Sequence, residues 1–96
     1  MLETAIQKKV IAWLLSIGCK VINLKSAVRK GNADLVLCYR GRYIEFEMKQ
    51  PGKDATKLQK IKGEECAAAG GSWFCIHSLE EAQEAITYVR GYYGID

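Results

Sequence analysis

The stretch that decides the fold is "ADLVLCYRGRYIEFEMK", residues 33–49. Two largely apolar runs flank a Gly-Arg pair. This predicts two antiparallel strands, 33–40 and 43–49, joined by a tight turn. Glycine at the first central position of a two-residue loop suits a type II′ turn centred on Gly41-Arg42. That turn sets Cys38 against Glu45, Val36 against Glu47 and Asp34 against Lys49. Side chains alternate along a strand, so Ile44, Phe46 and Met48 face a core while Asp34, Glu45, Glu47 and Lys49 share the other face. Asp34 and Glu47 are then diagonal neighbours, with backbones about 7–8 Å apart, near enough for their carboxylates to converge. Two carboxylates suit a hard divalent cation bound through oxygen. The cation polarises a phosphodiester, and a lysine beside it stabilises the charge of the transition state. An alternating Glu/Lys face is equally the common form of a solvated strand, and E-x-K alone does not separate the two.

Outward from the hairpin, "ETAIQKKVIAWLLSI" (3–17) carries a helical pattern ending at Gly18. Ile6, Val10, Trp13, Leu14 and Ile17 fall in one stripe, and Glu3 falls in it too. An acid in the first turn also suits the helix dipole without further purpose. "KVINLK" (20–25) reads as a short strand, followed by the basic connection "SAVRKGN". After the loop "QPGKDA", Thr56 opens a helix with Gln59 three residues on, a capping-box pattern. That helix stops at Gly70-Gly71. "SWFCIH" (72–77) reads as a buried strand, and Ser78 with Glu81 caps a last helix carrying Ala82, Ile86 and Val89. The order α-β-β-β-α-β-α, with one hairpin, predicts an α/β fold: a mixed β-sheet flanked by helices.

Ninety-six residues, 49% apolar and 26% charged, set the expectation of one globular domain over 1–96. No apolar run approaches the roughly 18 residues of a membrane span, and the N-terminus lacks a signal-peptide pattern, so an intracellular, cytoplasmic location is expected. Cys19, Cys38, Cys66 and Cys75 are scattered without a C-x-x-C pair, which favours small buried hydrophobes over a zinc site, despite His77 two residues after Cys75. His77 itself is not expected to act as a base. Residues 1–62 hold 13 basic against 5 acidic side chains (+8), and residues 63–96 hold 1 against 6 (−5). That polarity fits a nucleic-acid surface with the acidic end turned away, or merely solvated faces. Arg29, Lys30, Lys53, Lys57 and Lys60 flank the polar strand face and are the candidate phosphate contacts. Tyr88, Tyr92 and Tyr93 are candidates for a dimer contact or a packed tail.

The segment "GNADLVLCYRGRYIEFEMKQPGKDATKLQ" (31–59) resembles the core of the VRR-NUC nucleases, within the PD-(D/E)XK superfamily. The G-x-x-D segment, hairpin, E-x-K strand, Pro-Gly loop and helix-opening Gln stand in that order. The resemblance implies a restriction-endonuclease-like core and a Mg²⁺- or Mn²⁺-dependent endodeoxyribonuclease. Asp34 and Glu47 would be metal ligands, with the Met48 carbonyl as a third. Lys49 would be the catalytic lysine, Gln59 a glutamine beside the site, and Glu3 an acid on the first helix pointing toward the metal. Ala33 departs from the proline usual before the Asp. Small, phage-type relatives of this kind imply a homodimer acting on branched DNA such as Holliday junctions. A sequence-specific or nicking restriction-type nuclease, and a non-catalytic nucleic-acid-binding module, are the alternatives. Glu45, an extra carboxylate on the active face, is expected to be solvated.

Overall fold

A computed structural model describes residues 3–24 and 33–95 of the chain. Arg29 and Lys30 lie outside the described residues. The elements are α1 (Glu3–Ser16), β1 (Lys20–Asn23), β2 (Leu35–Tyr39), β3 (Arg42–Met48), α2 (Lys57–Ala68), β4 (Ser72–Ile76) and α3 (Leu79–Tyr93). The expected α-β-β-β-α-β-α order and mixed sheet are observed. The strands lie in the order β1-β2-β3-β4, antiparallel across the first two pairs and parallel between β3 and β4. A parallel pair needs a crossover, and α2 supplies it.

Alternation along β3 separates two faces. Ile44, Phe46 and Met48 are fully buried and join Leu35, Leu37, Tyr39 and Ile76 in the core. Helix α1 seals that face with Ile6, Val10 and Leu14, and α3 with Ala82, Ala85, Ile86 and Val89. The guanidinium of Arg42 lies 3.9 Å from the centre of the Tyr93 ring, tying the end of α3 to the start of β3. The opposite face carries Glu45 and Glu47 on β3 and Trp73 and Cys75 on β4, paired Glu45–Trp73 and Glu47–Cys75. Helix α2 packs on β4 from this side. Among the described residues, no helix is long and apolar enough to cross a membrane.

The hairpin differs from expectation in its turn. Arg40 (φ 51°) and Gly41 (φ 82°) both adopt left-handed backbone, so the loop is Arg40-Gly41 and of type I′. The I′ twist matches the twist of the flanking strands. Gly41 takes the second left-handed position without strain, and Arg40 takes the first with its guanidinium 5.8 Å from the Tyr39 ring centre. Pairing is therefore Tyr39–Arg42, Val36–Glu45 and Leu35–Phe46. The slip is two residues, which keeps every side chain on its expected face. It moves Asp34 away from Lys49 and alongside Glu47.

Two further expectations are corrected. The 72–77 run is not a buried strand throughout: β4 lies at the sheet edge and is half-buried from Ser72 to Cys75, with only Ile76 enclosed. Nor are all four cysteines buried, because Cys38 sits on the exposed side of β2.

Gly63 on α2 lies against the Trp73 indole, and a methyl group there would overlap the ring. Helix propensity alone favours Gly63→Ala by about 1 kcal/mol. Overpacking against a fused ring held between helix and sheet costs about 1–3 kcal/mol. Gly63→Ala is thus expected to lower the urea midpoint; a raised midpoint would show that the indole moves aside at no cost.

Candidate active site

Asp34 stands one step beyond the last paired position of the hairpin, and the backbone pins it from both sides. Its N–H donates to the Phe46 carbonyl at 3.1 Å, and its carbonyl accepts from Leu24 N–H at 2.8 Å. The carboxylate Oδ2 accepts the Met48 N–H at 2.8 Å. A main-chain amide at the end of β3 therefore orients Asp34 toward its neighbour on the same face, Glu47.

Glu47 is the only buried charged side chain among the described residues, 3% exposed. Its Oε1 has no hydrogen-bond partner. Buried polar atoms are rarely left in that state, because the lost hydration is not replaced. Burial first, then the hydrogen bond and the negative charge of Asp34, push the Glu47 carboxyl well above the ordinary carboxylate range. The Lys49 ammonium pulls the other way, and Glu3 adds to the push. Four of the expected residues thus act on one point: Asp34, Glu47, Lys49 and, at longer range, Glu3.

An orphaned carboxylate oxygen beside a second, pinned carboxylate matches a hard divalent cation, which takes oxygen ligands and keeps several waters. Met48 offers only its carbonyl, because its side chain is fully buried in the core. Among the described residues, no three His, Cys, Asp or Glu side chains converge as a metal cluster. Glu3 therefore contributes a charge felt at Glu47 rather than a third converging carboxylate.

Gln59 has a structural role. Its Oε1 accepts the Thr56 N–H at 2.8 Å, and its N–H donates to Thr56 Oγ1 at 3.2 Å, a complete capping box at the start of α2. Glu45 is not the solvated residue expected. It is half-buried and accepts the Tyr43 hydroxyl at 2.6 Å, and that bond is the main reason the Tyr43 hydroxyl is pushed up to about 12. Lys53 and Lys57 are exposed. Lys60 is exposed too and pairs with Asp54 at 2.8 Å; such a surface pair yields readily to a phosphate. Sequence reading missed Cys75, which the parallel β3–β4 register brings beside Glu47. No sequence signal marks that pairing, since the strands are 23 residues apart at their nearest ends (Met48 to Ser72 spans a loop and a helix).

No family model matches this sequence, and no curated protein matches it. Solved structures do. One described as "VRR_NUC domain" superposes with a TM-score of 0.76 at 23% identity, over 88% of this chain and 94% of that chain. The chain shares the fold of that domain along nearly its whole length.

The orphaned carboxylate also has a price in stability. In EDTA at pH 10, above the raised Glu47 pKa of about 9, Glu47→Gln replaces the carboxylate with a neutral amide of the same shape, whose NH₂ can donate to Asp34. Removing the charge from a buried group that lacks its hydrogen bonds is worth about 1–3 kcal/mol, and Tm is expected to rise by roughly 5 °C or more. A thermal melt with Tm unchanged or lowered contradicts the reading of Glu47 as an uncompensated acid.

Proposed function

We propose that this protein is a Mg²⁺- or Mn²⁺-dependent DNA endonuclease that hydrolyses phosphodiester bonds. The observation that carries the reading is the buried Glu47 carboxylate, one oxygen unpartnered, set beside Asp34 with Lys49 two residues on. The likeness in fold to a VRR_NUC domain supports it. Asp34, Glu47 and the Met48 carbonyl would hold the cation, which when bound supplies a Lewis acid for the phosphate and a more acidic water.

The chain's own residues do the rest. Asp34, held by the Met48 amide, keeps its carboxylate in place without reorganisation when substrate arrives. The Lys49 charge reaches Glu47 and neutralises charge that grows on the phosphate oxygens. It also orients the attacking water. Lys53 and Lys57 carry exposed positive charge on the loop and the first turn of α2, where they hold the flanking phosphates; Lys60 joins them when Asp54 releases it. Gln59 serves this site through the cap that fixes the start of α2.

The preferred substrate under this reading is branched DNA, including Holliday junctions, cut by a homodimer. Paired cuts across a junction need two sites related by a two-fold axis. Tyr88 and Tyr92, 59% and 69% exposed, stack at 5.9 Å near the open edge of β4 and offer an apolar surface for the second copy.

A cleavage panel of junction, flap, nicked and linear DNA tests this. Nicking of branched substrates is expected with Mn²⁺ or Mg²⁺ and not in EDTA. Lys49→Ala and Asp34→Ala should each lower the rate on the order of 10²–10³-fold while leaving binding, and its fall with salt, in place. Full activity in either variant or in EDTA would sink the mechanism, as would salt-dependent binding with no cleavage of any substrate.

A further inference from the structure

His77 lies just past the end of β4, one residue beyond Ile76, whose carbonyl accepts the Lys49 N–H at 2.9 Å. Its ring sits between two oxygen atoms. Nδ1 is 2.8 Å from Glu81 Oε1, and Nε2 is 2.6 Å from the carbonyl oxygen of Lys53. A carboxylate and a main-chain carbonyl both accept, and a neutral imidazole has a single N–H. Either neutral tautomer therefore sets a nitrogen lone pair against an oxygen. Only the imidazolium donates on both sides. Glu81 Oε1 also accepts the His77 main-chain N–H at 2.8 Å, so the acid that holds the ring is itself fixed in place.

The second oxygen belongs to the loop that leaves the candidate site. Residues 50–54 run on directly from Lys49, turn through a Lys53 N–H to Gln50 carbonyl bond of 3.1 Å, and lead to the cap of α2. Among the described residues, the Cys75 thiol of β4 also meets this segment, at the Ala55 main chain, but within residues 50–54 the tie to β4 and α3 is the His77 ring.

We propose that protonated His77 is a positioning residue: it ties the 50–54 loop to β4 and to the first turn of α3, and so holds Lys49 and Lys53 in their working places. The effect on cleavage rests on the nuclease reading above; the tie itself does not.

The groups around the ring agree in direction. The hydrogen bond to Glu81 is the largest influence raising the His77 pKa above 6.5; partial burial opposes it, and the Lys53 carbonyl, the Glu81 charge and Asp54 add to the rise. Cys75 Sγ lies 3.9 Å from Nε2, and burial pushes that thiol up, leaving it neutral. Lys9 of α1 and Glu80 of α3 line the small cavity beside the ring. Because the native pKa is raised, the tie stabilises fully below about 6.5, the unfolded value. It is lost as pH rises through the raised native value, so the loop loosens on the alkaline side.

The chain has one histidine, so imidazole NMR of the metal-free protein reads this ring alone. Both nitrogens are expected to be protonated below pH 6.5, with a midpoint above 6.5 that Glu81→Gln lowers. His77→Gln, which cannot donate in both directions, should speed amide exchange in residues 50–54 roughly tenfold, the loss of one charge-assisted hydrogen bond. It should also remove from the cleavage pH profile an alkaline fall that tracks the histidine midpoint. A midpoint at or below 6.5, or exchange unchanged in His77→Gln, overturns the tie. Faster exchange with an unaltered pH profile overturns the positioning role. A wild-type protein that shows both NMR and exchange signatures but cuts no DNA supports the tie and overturns the nuclease reading instead.

Discussion

A carboxylate buried with one oxygen facing no donor is costly, and the rest of this structure is arranged around that cost. Glu47 meets Asp34 on one side and the Lys49 charge on the other, and neither supplies a hydrogen-bond donor to Oε1. A fold shaped only by stability would place an amide or an aliphatic side chain there. Unfavourable polar burial of this kind is characteristic of sites that await a charged ligand, and a divalent cation is the ligand that two hard oxygen donors select.

Each neighbouring element contributes to that arrangement. The type I′ turn sets the register that brings Asp34 alongside Glu47, and the Met48 amide holds it there. Parallel pairing of β3 with β4 covers one flank of Glu47 with Cys75 and fixes the Lys49 backbone on Ile76. Below the sheet, α1 and α3 form the core that holds Ile44, Phe46 and Met48, so β3 cannot slip by a single residue without exposing them. The 50–54 loop, between site and α2, is held by a tie of a different kind, the protonated ring of His77 between two acceptors.

Most of the fold was legible in the sequence because local chemistry and periodicity agreed. Thr56 with Gln59 and Ser78 with Glu81 marked helix starts that the structure contains, and the alternation of 43–49 assigned its faces correctly. The turn type was not legible: Gly41 suits the first position of a II′ loop as well as the second of an I′ loop, and both match the strand twist. A two-residue slip leaves the hydrophobic pattern unchanged, so the pattern placed Asp34 on the right face at the wrong neighbour. The pairing of Glu45 with the Tyr43 hydroxyl, two residues away on the same face, leaves no mark in the alternating pattern, which looks the same for a solvated acid. His77 and Cys75 depend on contacts between distant segments, Lys53 with His77 and Glu47 with Cys75, which no local pattern records.

The central claim is that Asp34 and Glu47, and not the adjacent Glu45, form the cation site. Calorimetric titration of Mn²⁺ into the wild type, Glu47→Gln and Glu45→Gln, without DNA, tests it most directly. Binding is expected in the wild type and in Glu45→Gln, with a loss of roughly tenfold or more in affinity in Glu47→Gln. Equal affinity in all three proteins, or a loss confined to Glu45→Gln, would contradict the account.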